Sequence, residues 1–297
     1  MAVILYLALK IGIACFLFMV EGQKTPVRIS DEEFLKESLN VVEEAKKRGV
    51  VLRILGGFGV FVHADHSEEA RALQRNLGRL GAGGPTFTDL DLGGYAGQWK
   101  NIKNVLEGVL HLEPDRMVNA LYGNVRLVYS HPVYHYPVDV FLDKLEFSHT
   151  VPFGQYGKNG RLELDYPTLD LADIVLEKLQ IHQLNRKDMI DIMCLLLSHD
   201  VKPATEPQVV DGGYIARMLA EDWGFWYDAT NNLKLTHDLG LSLKAEGKIS
   251  ESSWTVIDGR INLLRSMIDS QEKSKNWKKR EKDGTKKAWF KEVSDLA

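Results

Sequence analysis

Cysteine is almost missing from this 297-residue chain: Cys15 and Cys194 are the only two. That is too few for a disulfide framework or a thiolate zinc site, and a reducing, cytoplasmic setting is the expectation that follows. An excess of charge of one sign is missing as well. The formal net charge is -4, so nothing global points to nucleic acid, and only the last quarter is locally basic. There is no internal repeat, and the composition excludes both a membrane-spanning bundle and a disordered chain. The length allows one large domain or two smaller ones with ample core.

Long hydrophobic runs are absent with one exception, Met1 to Val20, which is apolar apart from Lys10. Its length raises a signal peptide or a membrane anchor. Against both, Lys10 splits the run into two short pieces, no basic segment opens it, and no small-residue cleavage pattern stands cleanly before Glu21. Gly12, three positions before Cys15, does not suit a lipoprotein signal. Residues 1–27 are therefore expected to be an apolar extension, dispensable for folding and without stable membrane association. A membrane anchor is the alternative.

What is present is patterned. Ser30-Asp31-Glu32-Glu33 is a capping box, and Phe34, Leu35, Leu39, Val42 and Ala45 recur at helical spacing before Gly49, which predicts a helix over Asp31 to Arg48. Val50 to Leu55 reads as a strand that runs into Gly56-Gly57 and then a helix beginning at Phe58. A polar helix over Ser67 to Leu80 and a turn over Gly81 to Pro85 lead to Phe87 to Leu92, a second strand. Trp99 to Leu110 is an amphipathic helix. Asn124 to Tyr129 and Val138 to Leu142 are β-rich runs joined by a loop holding His131 and His135, whose expected role is local hydrogen bonding. Beyond Asp165 the pattern turns helical: one helix after Asp170 through Ile181, one after Asn185 through Leu197, and others over Tyr214 to Glu221 and Ser252 to Ser270. Lys273 to Lys291 is lysine-rich, with Trp277, Trp289 and Phe290 interleaved. The expectation is α+β: a mixed sheet with flanking helices over residues 28–165, then a helical C-terminal region with a basic tail over residues 166–297.

The chemistry centres on Phe87-Thr88-Asp89-Leu90-Asp91-Leu92. Alternation sends Asp89 and Asp91 to one side of the strand and the leucines into a core. Two like charges that close repel unless a cation lies between them, and magnesium, or manganese in its place, takes one or two carboxylates and leaves its other positions to water and phosphate. Asp139 lies between valines in a later strand, where a carboxylate is costly unless paired or coordinated. If the two strands are neighbours, Asp89, Asp91 and Asp139 form the ligand set of a two-metal phosphoryl-transfer site, with Asp143 as the fallback third acid. Gly56-Gly57, where a strand becomes a helix, allows close backbone approach and offers N–H groups to a phosphate.

Together these motifs resemble the nucleotidyltransferase fold of the polymerase-beta superfamily: the glycine pair after a strand, the strand alternating hydrophobic residues with Asp89 and Asp91, and the third acid Asp139. Asp170 to Lys178 followed by Arg186-Lys187-Asp188-Met189-Ile190-Asp191 is similar to the helical segment of the AbiEii/AbiGii toxin branch. The resemblance spans about Val50 to Leu197, and Trp254 to Val293 is similar to the tail of bacterial members. It implies that Gly56, Gly57, Lys178 and Asp188 contact a nucleoside triphosphate and that Asp89, Asp91 and Asp139 hold Mg2+ or Mn2+. The implied activity is transfer of a nucleoside monophosphate to a hydroxyl of an unknown acceptor, whether RNA, protein or small molecule. The alternatives are a catalytically silent nucleotide-binding or interaction module and, lower, a nucleotide-sugar glycosyltransferase using Asp89-Leu90-Asp91. The latter explains neither Asp139 nor the glycine turn.

Overall fold

The computed structural model describes residues 29–77 and 87–292. The apolar stretch 1–27, the turn Gly81 to Pro85 and the last turn of the helix expected to reach Leu80 lie outside the described residues.

The first helix, α1 (Asp31–Lys47), starts where its capping box predicts, with Ser30 Oγ accepting from the Glu33 N–H at 3.1 Å. It ends before Gly49, whose φ of +70° suits the left-handed turn. Its stripe of Phe34, Val41, Val42 and Ala45 is buried against the sheet. Strand β1 (Leu52–Ile54) then gives way at once to α2 (Gly56–His63), and α3 (Glu68–Asn76) follows. Strand β2 is Leu90–Gly94, so it begins one residue after Asp89 and continues through both glycines, later than the expected Phe87 to Leu92. Helix α4 (Trp99–Lys103) widens into a π-type turn over Asn104–Val109. Short β3 (Glu113–Pro114) and α5 (Arg116–Tyr122) precede β4 (Arg126–Ser130) and β5 (Pro137–Leu142), the two β-rich runs.

These strands form one mixed sheet in the order β1-β2-β5-β4-β3, with β2 and β5 parallel and every other pair antiparallel. One face, carrying Leu52, Ile54, Leu90, Leu92, Val138 and Val140, buries against α1 and the Trp99 helix. Period-two alternation then commits Asp91 and Asp139 to the other face.

That second face looks toward the C-terminal helices. A hairpin, β6 (Lys144–Glu146) and β7 (Thr150–Pro152), is followed by α6 (Leu171–Leu179), which is buried along its whole length, and α7 (Arg186–Ser198). A two-stranded parallel ladder, β8 (Asp200–Lys202) with β9 (Val209–Asp211), interrupts the helices. Then come α8 (Gly212–Glu221), α9 (Trp223–Ala245), α10 (Glu251–Ser270) and α11 (Lys275–Glu281). The core of this half is shared with the first: Leu55, Val60, Ala70 and Phe141 join Leu176, Leu195, Leu219 and Ile261 in one cluster. The protein is thus α+β, a mixed sheet followed by a helical region. No helix among the described residues is long and apolar enough to cross a membrane.

Candidate active site

Between the second face of the sheet and α6–α7 lies a cleft of about 630 Å³, lined by Gly56, Gly57, Phe87, Asp89, Asp91, Phe147, Ser148, Glu177, Lys178, Asn185, Lys187 and Asp188. Its size is that of a small-ligand or cofactor site.

On the sheet side, Asp91 and Asp139 are direct register partners across the parallel β2–β5 pair. Their side chains leave the same face as neighbours. Asp91 is half-buried, and no described residue donates a hydrogen bond to its carboxylate. Burial, and then the charges of Asp89, Asp139 and Glu177, hold its carboxyl well above the usual carboxylate range, with Lys178 pulling the other way. Asp89 lies before the strand rather than inside it, exposed at the cleft mouth, with Thr88 Oγ1 at 3.2 Å. It still lines the cleft with Asp91.

The glycine turn has a definite reason to be glycine. Gly56 has φ +72°, and a Cβ there would stand 2.7 Å from Asp91 Oδ2. Its N–H donates to Glu177 Oε2 at 3.1 Å, so an acid already occupies the nearest helix N-terminal donor. Gly57 lines the cleft beside it, and its carbonyl accepts from Gln74 Nε2 at 3.0 Å.

Lys178 is 4% exposed, a buried cation held by Asp188 Oδ1 at 3.1 Å, Asp191 Oδ2 at 3.3 Å and Glu177 Oε1 at 3.5 Å. Asn185 Oδ1 caps α7 by accepting from the Asp188 N–H, which fixes the end of α7 that brings Asp188 to Lys178. Asp191 takes a further hydrogen bond from Gln74 Nε2 at 2.9 Å. Lys187 is half-buried at the same rim.

Asp139, expected to be costly in mid-strand unless paired, is paired. Arg126 on β4 reaches it with Nη2 at 2.9 Å from Oδ2 and Nε at 3.3 Å from Oδ1. The fallback acid Asp143 is not in the cluster. It sits past the end of β5 at φ +63°, exposed, and accepts from the Ala96 N–H at 2.9 Å. His131 is spent locally, its Nδ1 accepting from the N–H groups of Val133 and Tyr134. Among the described residues no group of three or more His, Cys, Asp or Glu side chains is already gathered as a metal site. The charges of Asp89 and Asp139 both act on Asp91, but Asp139 is turned to Arg126 and is not among the residues that line the cleft.

Arg126, Glu177 and Lys187 were not singled out from the sequence. Arg126 was within reach: a charged side chain in a β-rich run, next to a run that holds an unpaired acid, is a cross-strand pair to test. Glu177 gave no such signal, because its neighbour Lys178 makes it look like an ordinary solvated helix position.

The basic tail is docked rather than free. Trp289 Nε1 donates to Asp228 Oδ1 at 3.1 Å, Asp228 also binds His149 and His182, and the Phe290 ring stacks on His182 at 3.5 Å. The Lys291 N–H donates to the carbonyl of Ser148, a cleft residue. No protein-family model matches the chain, and neither a curated protein nor a solved structure is significantly similar to it.

Proposed function

We propose that the chain is a metal-dependent nucleotidyltransferase of the nucleotidyltransferase fold, akin to the AbiEii/AbiGii branch, that moves a nucleoside monophosphate from an NTP to an acceptor hydroxyl. The observation that carries this reading is that Asp91 and Asp89 line a cleft of nucleotide size beside the Gly56 turn, while Asp139 stands next to Asp91 in register on the neighbouring parallel strand.

The donor set fits Mg2+ or Mn2+. All three candidate ligands are hard carboxylate oxygens, and Asp91 lacks a described hydrogen-bond donor while lying among like charges. A bound divalent ion would supply charge neutralisation on the triphosphate and a lowered pKa for the attacking hydroxyl. Asp89 and Asp91 would hold it, with Asp139 as third ligand. Gly56 and Gly57 let the phosphates approach the backbone. Lys187 offers a positive charge at the rim, and Lys178, fixed by Asp188, places a second one at the cleft wall. In-line transfer then depends on positioning and electrostatics more than on covalent chemistry by the protein.

A catalytically silent nucleotide-binding module is the second reading, favoured by the Glu177 carboxylate on the Gly56 N–H and by Arg126 on Asp139. The two readings part in one experiment. The protein is incubated with each α-labelled NTP, magnesium or manganese, and separate RNA, protein and small-molecule acceptor fractions. Label transferred by wild type and lost in Asp91→Asn supports the enzyme. Saturable NTP binding without transfer to any fraction supports the silent module, and no NTP binding overturns both.

A further inference from the structure

Asp139 has two possible partners, and the structure holds one of them. Arg126 and Asp139 are both half-buried, with side chains 21% and 14% exposed, and they meet through two guanidinium nitrogens. Such a two-point pair is far better fixed than a surface ion pair. Arg126 is fixed from behind as well, with its guanidinium carbon 5.3 Å from the Phe141 ring centroid. In the β4–β5 register Arg126 faces Phe141 and Val128 faces Asp139, so the arginine reaches along the sheet by one same-face step to find the acid. Among the described residues no cation is hydrogen-bonded to Asp91, the register partner of Asp139 on the other side, and only the nearby charge of Lys178 acts against its repulsion. The acids of the sheet are therefore divided: Asp139 is neutralised by the protein, and Asp89 and Asp91 are left with their repulsion.

We infer that Arg126 is a positioning residue that competes with the divalent cation for Asp139, so that full three-acid coordination requires the guanidinium to be displaced. The inference rests on the metal-dependent reading of the cleft and deepens it. Two acids suffice for a first, weak encounter of the ion, and the third is withheld until the ion arrives with enough binding energy, as a triphosphate complex supplies, to pull Asp139 from Arg126. An arginine in this place restrains loading by a bare cation and reserves the complete site for the cation-nucleotide complex.

The test is calorimetric titration of Mg2+ and Mn2+, without nucleotide, into wild type, Arg126→Gln, Arg126→Lys, Asp91→Asn and the double variant Arg126→Gln/Asp139→Asn. Removing the competing charge should tighten Mn2+ binding by about tenfold in Arg126→Gln. Arg126→Lys should fall between that variant and wild type, because an ammonium competes at one point instead of two. The double variant should lose the gain, since no third acid is left to free. Far-ultraviolet circular dichroism confirms folding of each variant, and Arg126→Lys keeps a charge on Asp139 should Arg126→Gln fail to fold. Binding that is unchanged or weaker in both Arg126 variants, with Asp91→Asn still abolishing it, would overturn the inference and leave the metal site standing. Wild type that binds neither ion, even with a non-hydrolysable NTP present, would overturn the metal reading and this inference together.

Discussion

The two walls of the cleft are both built from carboxylates, and they treat them in opposite ways. On the helical wall Glu177, Asp188 and Asp191 surround one buried lysine, and each has a described partner: the Gly56 N–H, Lys178 and Gln74. On the sheet wall, among the described residues, Asp91 has no hydrogen-bond donor, Asp89 has Thr88, and Asp139 has an ion pair with Arg126. Burial of a charge without a partner works against stability, so a fold retains it where something else is served. The helical wall thus looks like structure that also borders a ligand. On the function proposed above, the sheet wall is capacity held for a cation.

The largest effect that could break this contrast is on the helical wall. Lys178→Met would leave Glu177, Asp188 and Asp191 buried without their common counter-charge. The expected loss is about 3 to 5 kcal/mol, read from urea unfolding, because three buried carboxylates would lose the cation that they share. A loss under about 1 kcal/mol would mean that the network is not what holds α6 to α7.

A second effect sharpens the contrast through pH. His63, on the helical side at the end of α2, is buried with Nε2 2.8 Å from both the Leu169 carbonyl and Thr168 Oγ1, and 3.9 Å from Asp165. Burial pushes it down to about 4 from its ordinary 6.5, and His199, packed beside it and His66, is lowered to about 4 for the same main reason. For a base with a depressed folded pKa, the unfolded chain takes the proton first. Stability is therefore present in full above pH 6.5 and lost as pH falls toward 4. Asp91 has the opposite sign. Its folded pKa is raised, so acid relieves it, and its contribution grows as pH falls toward the ordinary carboxylate range. Asp173, raised by burial to about 7, opposes the histidines in the same window, so the histidine part is read by difference: between pH 7 and 5, His63→Gln should remove about 2 kcal/mol of acid-linked loss relative to wild type. Denaturant melts at the two pH values check this, and an unchanged pH dependence would remove His63 from the account.

How much of this was legible beforehand follows from which interactions are local. Capping boxes, glycine stops and two-residue alternation are written within a few positions, and α1, β5 and the buried Leu90 and Leu92 follow from them. Strand β2 was misplaced because Gly93 and Gly94 argue against a strand on propensity. They are held in one because Arg53 and Leu52 pair with them on one side and Phe141 and Leu142 on the other. Helix α9 went unseen for a related reason. Its buried positions include Asp228, Asn232 and Thr236, polar residues that interrupt the apolar period, and their justification is distant: Asn232 Nδ2 donates to the carbonyls of Leu179 and Ile181. The acids of the sheet were legible because burying an aspartate in a strand is anomalous anywhere. That Arg126 claims one of them depends on which strands become neighbours.

The smallest expected effect is the one that bears most on the contrast, because its sign is what matters. Asp91→Asn keeps the shape of the side chain against Gly56 and removes its charge. If Asp91 is a carboxylate held for a cation, the variant without metal loses repulsion from Asp89, Asp139 and Glu177, and should be as stable as wild type or more so by about 1 kcal/mol. If Asp91 instead served the fold as Asp188 does, the same change should cost about 1 to 3 kcal/mol by unpairing a partner. The ligand response must agree. Wild type should gain thermal stability from magnesium with NTP by mass action, and Asp91→Asn should gain little. Lys178 would then be costly to remove, and Asp91 would cost nothing until a ligand is added. A variant that melts lower than wild type without metal, and still rises with magnesium-NTP as wild type does, would show that the two walls of the cleft are the same kind of structure.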